Sequence, residues 1–212
     1  MIDAIILAAG QGTRMKSNKA KVLHQLGGKS LLQHVIDAIN PLSASINIVI
    51  GNDAELVKNS INIDSINWVV QKKQLGTGHA VKQATPYVQD QSMYLIVYGD
   101  VPLITTNTLK TLISKAKETR FSLLSVIQTN PTGYGRIIRN SNRVIQSIVE
   151  EKDAHDKERE ISETNTGIMA VQGSLLNKYI TQLEPNNSQG ELYLTDIVKI
   201  AVKDNVTISS LV

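Results

Sequence analysis

The sequence predicts an α/β fold, with a mostly parallel central sheet, helices on both faces and a β-rich lobe at the sheet's rim. Three observations lead there. Short runs rich in Ile and Val recur along the chain, separated by longer amphipathic segments, which is the alternation of strand and crossover helix. The runs are continuously apolar, as strands covered on both faces are, and right-handed crossovers then make neighbours parallel. Past Pro131 the runs shorten and turn residues come between them, so hairpins replace crossovers.

In order, strands are expected at residues 2–7, 46–50, 67–70, 94–98 and 123–127. The first helix is read from Leu31, Leu32, Val35, Ile36 and Ile39, which share one face; Ser30 can cap its start and Pro41 follows its end. A second helix runs from Thr106 to about Ala116, with Leu109, Leu112 and Ile113 inward. Residues 134–139 and 143–149 then flank Asn140-Ser141-Asn142 as a hairpin. Residues 150–160 read as a charged surface stretch, 167–171 as a strand and 194–202 as a helix. The expected organisation is a single domain over 1–212, with residues 131–190 a lobe set into the sheet's rim.

Composition narrows the function classes. At 212 residues, 42% hydrophobic and 19% charged, the chain can bury a core without disulfides or structural metal. With Cys 0 there is no thiolate metal site, and a reducing, cytoplasmic setting is the expectation. The first ten residues carry Asp3 where a signal sequence carries positive charge, and no apolar run approaches a bilayer's width, so neither export nor a membrane partner is expected. A net charge of +3 without a basic run or stripe argues against a nucleic-acid partner.

The first strand runs into Leu7-Ala8-Ala9-Gly10-Gln11-Gly12-Thr13-Arg14-Met15. In a doubly wound sheet the carboxyl ends of strands are where ligands bind. Gly10 and Gly12 let the backbone turn sharply and bring its N–H groups to an anion, and Arg14 adds a planar, permanently charged donor set. The glycine spacing fits neither the dinucleotide fingerprint nor the Lys-containing P-loop. A tight turn with a surface arginine is the plainer alternative. Lys19 and Lys21 lie just beyond and can place a point charge on a phosphate. In Tyr98-Gly99-Asp100-Val101-Pro102 a carboxylate closes an apolar strand, a position suited to Mg2+ against nucleotide phosphates, although such an Asp is often only a turn residue. With no Cys and no serine elbow, direct in-line transfer needs no protein nucleophile. A phosphate monoester needs no general base, so His24 and His79 are read as packing or capping residues.

Taken together with Lys21-Val22-Leu23-His24, Gln71 before Gln74-Leu75-Gly76-Thr77-Gly78-His79-Ala80, Pro131-Thr132-Gly133-Tyr134-Gly135-Arg136, Glu150 with Lys152-Asp153, and Asn165-Thr166-Gly167, these motifs resemble the bacterial N-acetylglucosamine-1-phosphate uridylyltransferases over nearly the whole chain. The resemblance implies a Rossmann-like nucleotidyltransferase fold and uridylyl transfer from UTP to N-acetylglucosamine 1-phosphate, a step toward peptidoglycan and lipopolysaccharide precursors. It places Leu7, Ala8, Ala9, Gly10, Gly12, Gln71, Gly76, Thr77, Tyr98 and Gly99 at UTP, with Gln71, Gly76 and Thr77 around the uracil and ribose. Arg14 and Lys21 are the implied catalytic cations and Asp100 the implied Mg2+ ligand. Tyr134, Gly135, Glu150 and Asn165 match sugar-binding positions. Another sugar phosphate, dTTP, or nucleotide binding without catalysis are the alternatives the motifs leave open.

The chain departs from the family twice. Ala20 stands where a proline usually precedes the catalytic lysine. The sequence also ends at Val212, ahead of a second metal-binding asparagine and of the left-handed β-helix that carries acetyltransferase activity and, through which, the resemblance implies, the parent protein forms a homotrimer. Acetyl transfer is therefore not expected of residues 1–212.

Overall fold

The computed structural model describes residues 1–212 apart from Gln11, 13–16, Asn18, Asn52 and Asp64. The first strand, β1 (Ile2–Ala8), shows how the sequence builds the core. Its side chains alternate, Ile5 and Leu7 entering one apolar cluster and Ala4, Ile6 and Ala8 another, because the sheet is covered on both faces. The chain continues through a 3-10 turn at Lys21–Leu23 and a two-residue ribbon of β2 (Gln25–Leu26) and β3 (Lys29–Ser30). Helix α1 (Leu31–Ile39) begins where expected, its Ser30 hydroxyl accepting a bond from the Gln33 N–H at 3.1 Å.

Three further parallel strands follow with their crossovers: β4 (Ser45–Ile50), helix α2 (Ala54–Ser60), β5 (Ile66–Val70), helix α3 (Thr77–Ala84) and β6 (Met93–Tyr98). Helix α4 (Thr106–Thr119) runs one turn past the expected end because Arg120, at φ 68°, supplies a left-handed cap. After β7 (Phe121–Ile127) come the antiparallel pair β8 (Arg136–Arg139) and β9 (Ile145–Val149) and a single turn, α5 (Asp156–Arg159). Then β10 (Glu163–Gln172), α6 (Gly173–Ile180), α7 (Asp196–Lys203) and β11 (Ser209–Leu211) complete the order.

The sheet runs β11-β7-β10-β6-β1-β4-β5, with β8 and β9 attached through β10. Strands β6, β1, β4 and β5 are parallel, while β10 lies antiparallel between β6 and β7. Helices α1, α2 and α4 cover one face, and α3, α6 and α7 the other. This refines the expected lobe. The β8–β9 hairpin stands at the rim, but β10 and α6, which fall within residues 131–190, belong to the sheet and its helical layer. Met169, Ala170 and Val171 are buried to zero exposure between the two layers. The charged stretch at 150–160 is also anchored. Arg136, 1% exposed, pairs with Glu151 at 2.8 Å and donates to the carbonyl of Arg159 at 3.2 Å. That guanidinium holds Glu151 below the usual carboxylate range.

Candidate functional site

The carboxyl ends of β1, β5 and β6 open into one cleft of about 930 Å³. This is where a doubly wound sheet places ligands, since the loops leaving parallel strands diverge there. Leu7, Ala8, Ala9, Gly10 and Gly12 form one wall. Gly12, at φ 60°, lies so close over Lys21 that a Cβ there would stand 2.8 Å from the lysine Cβ, so a glycine lets the loop cross at that height. Arg14 lies outside the described residues.

Lys21 and Asp100 meet in this cleft as an ion pair. The 3-10 turn delivers the lysine and the end of β6 delivers the carboxylate. Lys19 is exposed and does not line the cleft, which separates the two lysines that the sequence left level. Gly99 packs beneath, where an added Cβ would meet Leu32 and Val22 at 3.2 Å. Among the described residues no group of three or more His, Cys, Asp or Glu side chains could hold a metal. Asp100 is the carboxylate at the Lys21 side of the cleft, and a single carboxylate fits a cation held mainly by substrate phosphates and water.

The opposite side of the cleft is built by Gln71, Gly76, Thr77 and Tyr98. Gly76, at φ 102°, turns the chain into α3 where a side chain would strike the Leu192 carbonyl at 2.5 Å. The Leu192 N–H donates to Leu75 and its carbonyl accepts from the Gly78 N–H, so residues 192–194 are laced to this loop. Thr77 adds its hydroxyl, which accepts from the Leu194 N–H at 3.1 Å. Burial pushes the Tyr98 hydroxyl far above its usual range, with the charges of Glu150 and Asp100 adding to the effect, so the ring stays neutral.

The residues expected from the resemblance to meet the sugar separate into two groups. Tyr134 lines the cleft with Thr132 and Gly133, whereas Gly135, Glu150 and Asn165 cluster behind them. The Asn165 N–H donates to the Gly135 carbonyl at 2.8 Å, and its Oδ1 accepts from Gly167 at 3.0 Å, beside the register shift in β10. Glu150 Oε1 accepts from the Thr195 hydroxyl at 3.0 Å. Burial raises the Glu150 carboxyl above its ordinary range, and Asp196 and Asp153 push it further. It is thus no solvated charge beside Glu151.

Sequence reasoning did not single out Glu191, which enters the cleft from the loop before α7. No local pattern marks it, because only the tertiary lacing of that loop to α3 brings it there. Gln74 and Val101 also line the cleft, and both stand inside motifs already quoted. His79, read as packing, bonds the Gln71 amide.

No helix among the described residues is long and apolar enough to cross a membrane. A solved UDP-glucose pyrophosphorylase complexed with UDP-glucose shares the fold, with a TM-score of 0.76 at 18% identity over 96% of this chain and 88% of that one. The chain is 54% identical over its full length to a bifunctional protein GlmU from Vesicomyosocius okutanii, and 48% identical over 98% of its length to one from Marinobacter nauticus. It spans 47% and 46% of those relatives, about half their length. The description MobA-like NTP transferase domain fits residues 4–163, and the chain belongs to that family.

Proposed function

We propose that the chain transfers a uridylyl group from UTP to N-acetyl-α-D-glucosamine 1-phosphate, releasing pyrophosphate and UDP-N-acetylglucosamine. The observation that carries this reading is the meeting of Lys21 and Asp100 in the same cleft as Gln71, Gly76 and Thr77. Phosphate chemistry at one side and an amide-lined recess at the other suit a nucleoside triphosphate. The relatives named bifunctional protein GlmU support the choice of nucleotide and sugar.

In the proposed reaction an oxygen of the sugar phosphate attacks the α-phosphorus of UTP, the bond to the β-phosphate breaks, and pyrophosphate leaves with the electron pair. The acceptor is already ionised, so no protein base is needed. The residues position and neutralise. Gly10 and Gly12 line the cleft where the phosphates would lie. Lys21 supplies a cation to the phosphate that gains charge, releasing Asp100, and Arg14 is proposed to act beside it. Asp100 would hold Mg2+, which when bound neutralises phosphate charge. Gln71, Gly76 and Thr77 would hold the nucleoside, and Tyr134, Gly135, Glu150 and Asn165 the acceptor sugar. The whole protein is further proposed to be cytoplasmic and to trimerise through its remaining half.

The test is pyrophosphate release by the purified chain with UTP and N-acetylglucosamine 1-phosphate, with Mg2+ and with chelator. Release that needs both substrates and the metal is expected. Equal efficiency with dTTP or another sugar phosphate would transfer the chain to a related specificity, and UTP binding without release would make it a nucleotide-binding module.

A further inference from the structure

Gln71 leaves β5 into the cleft and is 3% exposed. Its Nε2 stands 2.9 Å from the Nδ1 of His79 and donates to the Gly76 carbonyl at 3.2 Å. A side-chain amide has two N–H donors and one oxygen, so both donors are used inward and Oε1 is the atom left for the cleft. The Gly76 carbonyl is shared, because it also accepts the Ala80 N–H at 3.1 Å. His79, in the first turn of α3, makes the shorter of the two bonds to the amide and makes it from a helix packed into the core.

We propose that His79 is a positioning residue for nucleobase selection: its Nδ1 holds the Gln71 amide with both N–H groups turned inward, so that Oε1 alone meets the base. An acceptor there selects a pyrimidine whose N3 carries a hydrogen, as in uracil, and opposes cytosine, whose N3 presents a lone pair. The ring must be neutral to accept at Nδ1, and burial together with the Lys82 charge lowers the His79 pKa, favouring that form. The proton then sits on Nε2, 3.2 Å from the Gln83 side-chain amide, and this tautomer requires that amide to turn its oxygen toward the ring to accept it. Without the Nδ1 acceptor, the Gln71 amide is free to rotate and offer an N–H to the base.

The proposal rests on the reading that this cleft binds UTP, so the test measures equilibrium binding of UTP and CTP to the intact chain and to His79 variants. Asn places its oxygen at the same bond position as Nδ1, whereas Phe keeps a ring and loses the acceptor. The UTP-over-CTP affinity ratio should fall about ten-fold or more in His79→Phe and stay within about threefold of the parent in His79→Asn, the scale of one misdirected buried hydrogen bond. Circular dichroism checks folding. If His79→Phe does not fold, His79→Gln, whose amide oxygen lies one bond too far, takes its place with the same expectation. A parent chain that binds no UTP overturns the uridylyl reading and this assignment with it. A parent that prefers UTP, with the ratio unchanged in His79→Phe or lost equally in His79→Asn, overturns the role of His79 alone.

Discussion

Lys21 and Asp100 neutralise one another in the cleft, so the lysine is held near the glycine-rich loop before any ligand arrives. A cation whose work is done on developing charge should show in turnover rather than in affinity. Lys21→Ala should therefore lower kcat by roughly two to three orders of magnitude while changing the KM for the sugar phosphate little, which steady-state pyrophosphate release would measure. Near-normal turnover in the folded variant would remove Lys21 from the centre. Glu150 gives a prediction of a different kind. Burial makes the folded protein hold that proton more tightly than the unfolded chain, whose carboxyl titrates near 4.5. The folded state then binds more protons, so its stability falls as pH rises from about that value through the raised one. Glu150→Gln stays neutral and keeps an oxygen for Thr195. It should melt above the parent at pH 7.5, with the gap closing as pH approaches 4.5. A gap that does not vary with pH would mean the carboxyl is not desolvated.

At the level of elements, the 3-10 turn carrying Lys21 starts from Ala20, which has φ −50° and ψ 132°. Proline adopts that conformation, and the Ala20 N–H donates to no group among the described residues. Ala20→Pro should raise the melting temperature by ~1–3 °C by restricting the unfolded chain, and a lowered melting temperature would show that the ring clashes. The start of α3 predicts the opposite outcome. A Cβ on Gly78 would collide with Leu183 and stand 2.9 Å from the Leu192 carbonyl, where the backbone bond is made. Overpacking of ~1–3 kcal/mol outweighs the ~1 kcal/mol that alanine gains as a helix former. Gly78→Ala should lower the melting temperature by about 2–5 °C and raise the KM for UTP. The contrast shows what was legible. Helix α1 could be read from five apolar residues and a serine because its signals are local, and so could the strand ends that carry Gly10 and Asp100. Strand β10 was visible as apolar sequence, but its antiparallel place between β6 and β7 was not, since pairing across such separations leaves no periodic mark. Gln71 and His79 are eight residues apart, one just past the end of β5 and the other in α3 with a loop between, a spacing no single element's period brings together.

On the scale of the whole molecule, the two ends of the cleft are connected through one short segment. Leu192 and Leu194 are hydrogen-bonded to the Leu75–Gly78 loop on the side proposed for the nucleotide, and Thr195, the next residue, is bonded to Glu150 on the side proposed for the sugar. Four consecutive residues thus touch both halves, and they lead into α7, whose Ile197, Val198 and Ala201 are buried in the same cluster as β1. In the proposed reaction the nucleotide and the sugar phosphate would occupy the two halves, and this strap offers a route by which one ligand shifts the other. The two substrates then share a free energy of interaction, and thermodynamics makes it mutual: whatever factor UTP applies to the affinity for the sugar phosphate, the sugar phosphate applies to UTP. Calorimetric titration of a non-reacting UTP analogue with and without the sugar phosphate should give the same factor in both directions, on the order of fivefold or more. Thr195→Val, which severs the strap from Glu150, should bring that factor toward one while leaving the affinity for UTP alone nearly intact.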